Sequence, residues 1–547
     1  YRGFALTLLF SLALLFLPGT AKAQDDVPRF EPARCPVAAP GDVKCGYLVV
    51  WEDRSDPADG TLRLAIAILP AHSPTPAPDP VVYLEGGPGS SALEGLATWL
   101  TSPFRDERNL ILLEQRGTRY AEPELDCPEL KEMYVDTWAA GLDDDEIAER
   151  EVAAAARCRE RLVAQGIDLA AYNSVASAAD LDELRQVLGY DAWNLYGISY
   201  GTRLALTALR EYPAGIRSVI LDSVYPPQID GLALIAPNTE RVLAKLFADC
   251  AADAACSAAF PDLEADFYQT WARANEHPFR VRVPHPDTGE MLRLPVDGDD
   301  LVAELFLAFY DAELIPYLPL VIDQVAAGNE GVLVPLTHFA LSTYLQGSEG
   351  MSFSVTCHEE APFNTPEEVA AAAQSVPPPM RAFDITSTLE ICDTWGAGIA
   401  DPVETEPVYS EVPVLILEGA YDPITPPAYG LSTADTLPNS YYFEFPGMGH
   451  GVTLADCPAK VARRFLTAPH TRPVAICLSG MSTPQFVTQR DLHLTSGSYR
   501  ILVAIESGSS RLLIPLLAFI SFFALILIYV TLRAVLRILG IWPGSVP

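Results

Sequence analysis

The sequence is poor in basic residues, and this shortage excludes several classes of partner. Lysine and arginine number 36 against 71 aspartate and glutamate residues, and the net charge is −35. Such a surface repels nucleic acid and anionic lipid, so we expect neither as a partner. The acidic excess is typical of a solvated surface, and the alternative is an acidic cleft that attracts a cationic substrate group.

The sequence also lacks any C-x-x-C pair, so zinc and thioredoxin-type chemistry are not indicated. The ten cysteines are Cys35, Cys45, Cys127, Cys158, Cys250, Cys256, Cys357, Cys392, Cys457 and Cys477. Their even number and their grouping in neighbouring couples predict an exported protein with five disulfides between successive cysteines. Sequence alone leaves the connectivity open, and buried free thiols are the alternative.

Both ends of the chain carry apolar segments. Residues 1–23 predict a secretory signal, with a basic start, an apolar run and a small-residue Ala-Lys-Ala end, although an uncleaved anchor is the alternative. Residues 512–532 are uncharged and, at about 1.5 Å per residue, long enough to cross a bilayer. Arginines in 533–547 place that tail in the cytoplasm and the main domain in the extracellular or periplasmic space. A buried core helix is the alternative for the second segment.

Strand and helix patterns alternate between these ends. Predicted strands at 80–84, 109–114, 193–196 and 218–222 are separated by helical patterns, which indicates a mostly parallel sheet with helices on both faces. Helical patterns then dominate residues 228–407. We interpret this stretch as a helical cap insert.

The predicted organisation is therefore a core in two parts that flank an insert. The parts are a signal (1–23), a first core segment (24–227), the insert (228–407), a second core segment (408–478), a spacer (479–511), a transmembrane helix (512–532) and a cytoplasmic tail (533–547).

The motif Gly-Ile-Ser-Tyr-Gly at residues 197–201 follows a predicted strand and begins a helix. This context is typical of a nucleophile elbow, in which a tight turn lifts the Ser199 hydroxyl above the sheet. The alternative is a serine that only caps a helix. The sequence therefore predicts Ser199 as a nucleophile.

A serine nucleophile needs a base and an orienting carboxylate. His450 follows a glycine-rich turn after a strand, and Asp422 follows the strand at 412–418 in an Asp-Pro-Ile-Thr-Pro turn. The order Ser199, Asp422, His450 is that of the α/β-hydrolases, and the gap between the first two accommodates an insert. The alternatives are a structural imidazole and an ordinary Asx turn.

The run Gly-Gly-Pro-Gly at 86–89 follows another strand, where backbone N–H groups can approach a reacting carbonyl. We predict that the amides of Gly87 and Tyr200 form an oxyanion hole, with a simple tight turn as the alternative. A phosphate loop is not indicated, because no Gly-Lys-Ser/Thr follows.

Four motifs together resemble the tripeptidyl-aminopeptidase and prolyl-aminopeptidase branch of the α/β-hydrolases. They are Glu-Gly-Gly-Pro-Gly (85–89), Glu-Gln-Arg-Gly-Thr (114–118), Tyr-Gly-Ile-Ser-Tyr-Gly (196–201), and Asp-Pro-Ile-Thr-Pro (422–426) with Gly-His (449–450). The resemblance spans Cys35 to Cys477. It implies an α/β-hydrolase fold and a serine exopeptidase that acts on peptides with a free N-terminus, without a metal or cofactor.

Three positions depart from the family pattern. Glu85 stands where prolyl aminopeptidases usually have histidine, so strict prolyl specificity is not implied. Glu114 stands where the family has aspartate, and Arg119 stands where it has glycine. Members of this branch hold the substrate ammonium with acidic residues of the cap, which makes Glu359 and Glu360 the candidates here. The alternative is a solvated acidic pair.

Three functions remain open at the level of sequence. The first is a membrane-tethered, exported aminopeptidase that uses a Ser-His-Asp acyl-enzyme mechanism. The second is an esterase or other small-molecule acyl hydrolase with the same triad, since fold does not determine the substrate. The third is a catalytically inactive ectodomain that binds a partner.

Overall fold

A computed structural model describes residues 27–489 except Asp59 and Asp384. The predicted signal (1–23), most of the spacer, the predicted membrane segment (512–532) and the tail lie outside these residues. Within the part of the chain that is described, no helix is both long enough and apolar enough to span a membrane.

The largest element is a nine-stranded sheet with the order β1-β2-β3-β5-β4-β6-β7-β10-β11. The strands are β1 (Arg29–Ala33), β2 (Lys44–Trp51), β3 (Thr61–Leu69), β4 (Val81–Leu84), β5 (Leu110–Leu113), β6 (Trp193–Ser199), β7 (Ile216–Val224), β8 (Phe279–Pro284), β9 (Met291–Val296), β10 (Val414–Gly419) and β11 (Ser440–Phe445). Strands β1 to β3 pair antiparallel, and so do β3 and β5. All pairs from β5 through β4, β6, β7 and β10 to β11 are parallel. The predicted, mostly parallel α/β-hydrolase sheet is confirmed.

Helices cover both faces of this sheet. They are α1 (Leu96–Trp99), α2 (Pro128–Ala140), α3 (Asp144–Ala164), α4 (Ser174–Val187), α5 (Tyr200–Glu211), α6 (Gly231–Ala252), α7 (Ala254–Ala259), α8 (Leu263–Glu276), α9 (Gly298–Ala308), α10 (Leu318–Ala326), α11 (Leu333–Tyr344), α12 (Glu349–Glu359), α13 (Pro366–Gln374), α14 (Thr386–Trp395), α15 (Pro427–Ala434) and α16 (Asp456–Thr467). Successive residues of β4 point to opposite faces. Val82 and Leu84 join the core beneath α2 to α5, whereas Val81 and Tyr83 join the core beneath α1 and α16. Burial on both faces explains why β4 and β5 carry no charged residue and consist almost entirely of aliphatic residues.

The segment between β7 and β10 packs in two portions. Helices α6 to α11 surround their own apolar core. Helices α12 and α14 instead contribute residues such as Met351 and Trp395 to the core beneath the sheet. The second portion is therefore packed against the hydrolase core.

The segment also contains a pair of strands in addition to its helices. Strands β8 and β9 form an antiparallel hairpin. Phe279, Val281 and Val283 of β8 are buried, while Arg280 and Arg282 between them are exposed. This period-two alternation is a strand signal that is visible in the sequence. The prediction of a helical cap insert did not include this hairpin.

The ten cysteines pair in sequence order, as predicted. The disulfides are Cys35–Cys45, Cys127–Cys158, Cys250–Cys256, Cys357–Cys392 and Cys457–Cys477. Two of them join helices, α6 to α7 and α12 to α14, and a third joins the residue just before α2 to α3. Disulfides in this number are typical of exported proteins.

Removing a disulfide that closes a long loop should cost more stability than removing one that closes a short loop. Cys127 and Cys158 are 31 residues apart, whereas Cys250 and Cys256 are only 6 apart, and all four are buried. The loss of unfolded-state entropy predicts a decrease in the free energy of unfolding of about 3.5 kcal/mol for the first double alanine variant and about 2 kcal/mol for the second. Urea unfolding without reductant measures both. Equal or reversed losses would contradict the loop-length argument.

Candidate active site

Ser199 occupies a sharp turn between β6 and α5. Its backbone has φ 57° and ψ −126°, a left-handed region that is rare for any residue except glycine. Strained backbone of this kind is found where the surrounding structure holds a functional side chain in place. The turn leaves Ser199 at the carboxyl edge of the sheet and at the N-terminus of α5.

The two glycines of the motif permit this turn because their surroundings leave no room for a side chain. A Cβ on Gly197 would overlap the carbonyl of Gly201, and a Cβ on Gly201 would overlap the carbonyl of Leu84. Helix α5 therefore packs directly against the ends of β4 and β6. This close approach positions Ser199 beside the loop that follows β4.

Asp422 lies three residues beyond β10 and is fully buried. Its carboxylate accepts hydrogen bonds from the Ile424 N–H (3.0 Å), the Thr425 N–H (2.8 Å), the Thr425 hydroxyl (2.9 Å) and the His450 ring (2.7 Å). Burial alone raises the pKa of this carboxyl, but the imidazole and the neighbouring donors outweigh burial, and the pKa lies below its usual value. Asp422 is thus held as a carboxylate in a fixed direction.

His450 lies in the loop that follows β11, where its Nδ1 faces Oδ2 of Asp422 at 2.7 Å. Its backbone N–H donates to the carbonyl of Tyr310 at 3.2 Å. Burial lowers the pKa of the imidazole, but Asp422, with Asp222 and Glu85 nearby, outweighs burial and raises the pKa above its usual value. The Nδ1 contact leaves Nε2 as the nitrogen that can exchange a proton with a substrate or a hydroxyl group.

Two residues that the sequence analysis missed hold the histidine loop. Asp222 lies opposite Ile198 near the end of β7, and its buried carboxylate accepts from the backbone N–H groups of Val452 (2.9 Å) and Thr453 (2.8 Å). Ser223, with φ 58°, accepts from the N–H of Gly451 at 2.9 Å. Asp222 and Ser223 therefore connect the strand next to the nucleophile with the residues that follow His450. An Asp-Ser pair at a strand end was the only signal in the sequence.

The glycine-rich loop after β4 lies next to Ser199. A Cβ on Gly86 would be 3.1 Å from the Ser199 Cβ. Gly87 has φ 104°, which suits glycine and turns the loop sharply before Pro88. Tyr200 is the first residue of α5, where backbone N–H groups have no partner within the helix. The predicted oxyanion donors, Gly87 and Tyr200, thus belong to the two segments next to Ser199.

The two candidate ammonium ligands have different environments. Glu359 accepts from the N–H (2.6 Å) and hydroxyl (2.9 Å) of Ser174 and from Nε of Arg203 (3.0 Å), and all three residues are buried. A carboxylate neutralised in this way stabilises the packing of α12 on α5, and its role in substrate binding stays a prediction. Glu360 accepts a hydrogen bond from the Tyr225 hydroxyl. Burial raises the pKa of the Glu360 carboxyl, although the charge of Arg203 opposes the shift.

Glu360 is linked to the nucleophile by a short series of hydrogen bonds. Tyr225, which binds Glu360 through its hydroxyl, donates its backbone N–H to the Thr202 hydroxyl at 2.7 Å. The Thr202 hydroxyl in turn donates to the carbonyl of Ser199 at 2.6 Å. Glu360 is therefore connected to the turn at Ser199 through Tyr225 and Thr202.

The Glu-Gln-Arg-Gly-Thr motif is structural in its first and third positions. The buried Glu114 accepts from the Ser91 hydroxyl (2.7 Å) and the Thr118 hydroxyl (2.6 Å). The buried Arg116 makes two bonds of 2.8 Å to Asp180. These contacts fix the loop after β5 against the neighbouring helices.

Two family profiles match the chain, and each of them covers a different part of the site. One, described as alpha/beta hydrolase fold, matches residues 79–258 and includes the glycine-rich loop and Ser199. The other, described as TAP-like protein, matches residues 379–477 and includes Asp422 and His450.

Curated relatives extend this similarity over most of the chain. Serine protease Hip1 of Mycobacterium tuberculosis is 25% identical over 462 residues, which cover 80% of this chain and 87% of that protein. Tripeptidyl aminopeptidase of Streptomyces lividans is 28% identical over 204 residues, 35% of this chain and 37% of that protein. The probable proline iminopeptidase of Streptomyces coelicolor is 27% identical over 176 residues, 30% of this chain and 42% of that protein.

The contacts between Asp222 and the loop that carries His450 should affect both the rate and the pH dependence of reaction at Ser199. Replacing Asp222 with asparagine removes a negative charge near His450, so the pKa of His450 should fall. Because the neutral imidazole is the reactive form, the pH of half-maximal labelling of Ser199 by a fluorophosphonate should shift downward. The plateau rate should also fall, since an amide nitrogen cannot accept the N–H bonds.

Ser218→Ala is the matched control, because Ser218 lies on the same strand and its hydroxyl bonds only Asn194 among the described residues (2.7 Å). This variant should keep the half-maximal pH of the wild type. An Asp222→Asn profile that coincides with that of Ser218→Ala would refute the electrostatic role.

Proposed function

Because the chain belongs to the tripeptidyl- and prolyl-aminopeptidase branch of the α/β-hydrolases, we propose that it is an aminopeptidase that releases short pieces from free peptide N-termini. Two observations together carry the proposal. Asp422 and His450 form a hydrogen bond with each other, and Ser199 occupies a strained turn. Catalysis then follows the acyl-enzyme route of serine peptidases.

In the first half of the reaction, the Ser199 hydroxyl attacks the carbonyl carbon of the scissile peptide bond. His450 accepts the hydroxyl proton at Nε2, and Asp422 holds the ring by its Nδ1 and stabilises the imidazolium. The raised pKa of His450 favours this proton transfer. His450 next donates the proton to the leaving amine, the C–N bond breaks, and an ester remains on Ser199.

The negative charge on the carbonyl oxygen needs donors that are in place before the reaction. The amides of Gly87 and Tyr200 supply them, and the N-terminus of α5 adds its positive dipole end. In the second half, His450 removes a proton from water, which attacks the ester. The proton then returns to Ser199 and the released acid leaves.

Glu360 is the proposed ligand of the substrate ammonium. Glu359 and Glu360 together with Arg203 carry one excess negative charge, and Arg203 bonds Glu359. The remaining charge suits one ammonium group, which is the feature that distinguishes a free N-terminus from an internal peptide bond. The hydrogen bond from Tyr225 keeps the Glu360 carboxylate close to the nucleophile turn.

Export and membrane attachment complete the proposal. The five disulfides support an oxidising compartment, and the predicted signal at 1–23 supports secretion. The apolar segment at 512–532 supports a C-terminal anchor that leaves the catalytic domain outside the cytoplasm.

The substrate class can be tested with the full chain and its Ser199→Ala variant. Free-amine tripeptide and dipeptide anilides, their N-acetylated forms and short p-nitrophenyl esters form the panel. We expect hydrolysis of the free-amine peptides, and a loss of at least about 10⁴-fold in kcat without the serine. Ester hydrolysis without peptide hydrolysis would instead identify an esterase, and absence of any turnover or labelling at Ser199 would reject both enzymes.

The ammonium ligand can be tested by comparing the neighbouring glutamates. Glu360→Gln should lower kcat/KM for free-amine peptides by about 10- to 100-fold, the value of one charge-assisted hydrogen bond, and should leave N-acetylated peptides unaffected.

Glu359→Gln is the matched comparison. It should instead destabilise the fold, by about 3–5 kcal/mol, because Arg203 loses its buried partner. If Glu360→Gln lowered the rates for free and acetylated peptides equally, Glu360 would have no role in recognising the ammonium.

A further inference from the structure

Helix α6 of the insert packs against the loop that carries Asp422. Arg241 on this helix donates from one guanidinium nitrogen to the carbonyl of Ala420 at 3.2 Å and from another to the carbonyl of Asp422 itself. Asn238, one turn earlier, donates to the carbonyl of Ile424 at 3.3 Å. One face of α6 therefore binds the main chain on both sides of the catalytic carboxylate.

The same helix holds this loop at a third point. The Tyr421 hydroxyl donates to Asp249 at 2.5 Å, and the Lys245 ammonium lies 4.8 Å from the centre of the Tyr421 ring. Asn238, Arg241, Lys245 and Asp249 are spaced by three or four residues, so they share one face of α6. The contact is a continuous polar interface that follows the loop.

Arg241 binds the backbone carbonyl of Asp422 and not its carboxylate. The carboxylate already accepts four hydrogen bonds, from Ile424, Thr425 and His450. Its direction is then set by the main chain, which Arg241 fixes through the carbonyls of two residues. Arg241 is half-buried, and its buried Nε has no hydrogen-bond partner among the described residues. Shielding a charged group in this way costs free energy, which argues that its position matters.

The insert also contacts the histidine. The carbonyl of Tyr310, just after α9, accepts the backbone N–H of His450 at 3.2 Å, and the two rings lie 4.6 Å apart. Both members of the Asp422–His450 pair are therefore held by the same portion of the insert.

We propose that this portion of the insert completes the catalytic triad, and that Arg241 is the positioning residue for Asp422. The proposal rests on the proposed function, because it requires Ser199, Asp422 and His450 to act as a triad. It differs from a substrate-limiting cap in that the insert acts on the catalytic groups themselves.

The charge of Arg241 gives the proposal a pH signature. Arg241 faces Asp422, Glu444 and Tyr429, and the charged groups that face His450 are Asp422, Asp222 and Glu85. A cation beside Asp422 disfavours protonation of His450, so its removal should raise the pKa of His450. A residue with only a packing role would leave that pKa unchanged.

The test measures the rate at which a fluorophosphonate labels Ser199 of the full chain between pH 5 and 9, together with the thermal midpoint. Arg241→Met should lower the plateau rate by about 10- to 100-fold and move the half-maximal pH upward. Arg241→Gln, which keeps a polar donor and loses the charge, should show the same upward shift if Arg241→Met does not fold. Arg241→Lys should retain the half-maximal pH of the wild type.

Arg273→Met is the matched control. Arg273 also lies on a helix of the insert and donates to two backbone carbonyls, those of Val325 (3.2 Å) and Ala326 (3.1 Å). Its loss should lower the thermal midpoint and leave the labelling profile of the folded protein unchanged.

Two results would count against the hypotheses, and they are distinguishable. A wild-type protein that is not labelled at Ser199 would reject the proposed function. Normal labelling of the wild type together with Arg241→Met and Arg241→Gln profiles that match Arg273→Met would overturn the role of Arg241 alone.

Discussion

The hydrogen bond between Asp422 and His450 is the constraint around which the site is built. It spans 2.7 Å and joins two loops that extend from neighbouring parallel strands, β10 and β11. Loops at the carboxyl edge of a sheet are not held by strand pairing, so other contacts must fix them. Those contacts come from β7 through Asp222 and from the insert through Arg241 and Tyr310.

The electrostatics of the site follow from these contacts. Asp422 is buried and yet ionised, because three hydrogen-bond donors and the imidazole favour its charge. His450 is buried and yet more basic than usual, because Asp422, Asp222 and Glu85 surround it. Burial opposes both ionised forms, so each depends on the position of the other. A displacement of either loop would therefore change the protonation of both groups.

Local features of the site could be predicted from the sequence, because their signals lie within a few residues. The strand, the two glycines and the following helix define the turn at Ser199. The strand predicted at 412–418 appears as Val414–Gly419, and the strand predicted before His450 appears as Ser440–Phe445. Each of these elements is determined by apolar runs and turn residues that are adjacent in the chain.

Long-range partners could not be predicted in the same way. The pairing of Glu359 with Arg203 joins positions 156 residues apart, and that of Arg241 with Asp422 joins positions 181 apart. A glutamate pair at a helix end looks the same in sequence whether it binds a substrate or an arginine. Only the packing of α12 on α5 distinguishes Glu359 from Glu360.

The contacts of the insert limit how a substrate can reach Ser199. If α6 and α9 moved away together as a lid, Arg241 would leave the Asp422 loop and the Tyr310 carbonyl would leave His450. The catalytic pair would lose two of its supports at the moment of binding. Under the proposed function, entry is therefore compatible with a fixed α6–α9 portion, and any opening must occur elsewhere around the nucleophile turn. A fixed cap of this kind favours the end of an extended chain over a folded protein surface, which agrees with cleavage near a free N-terminus.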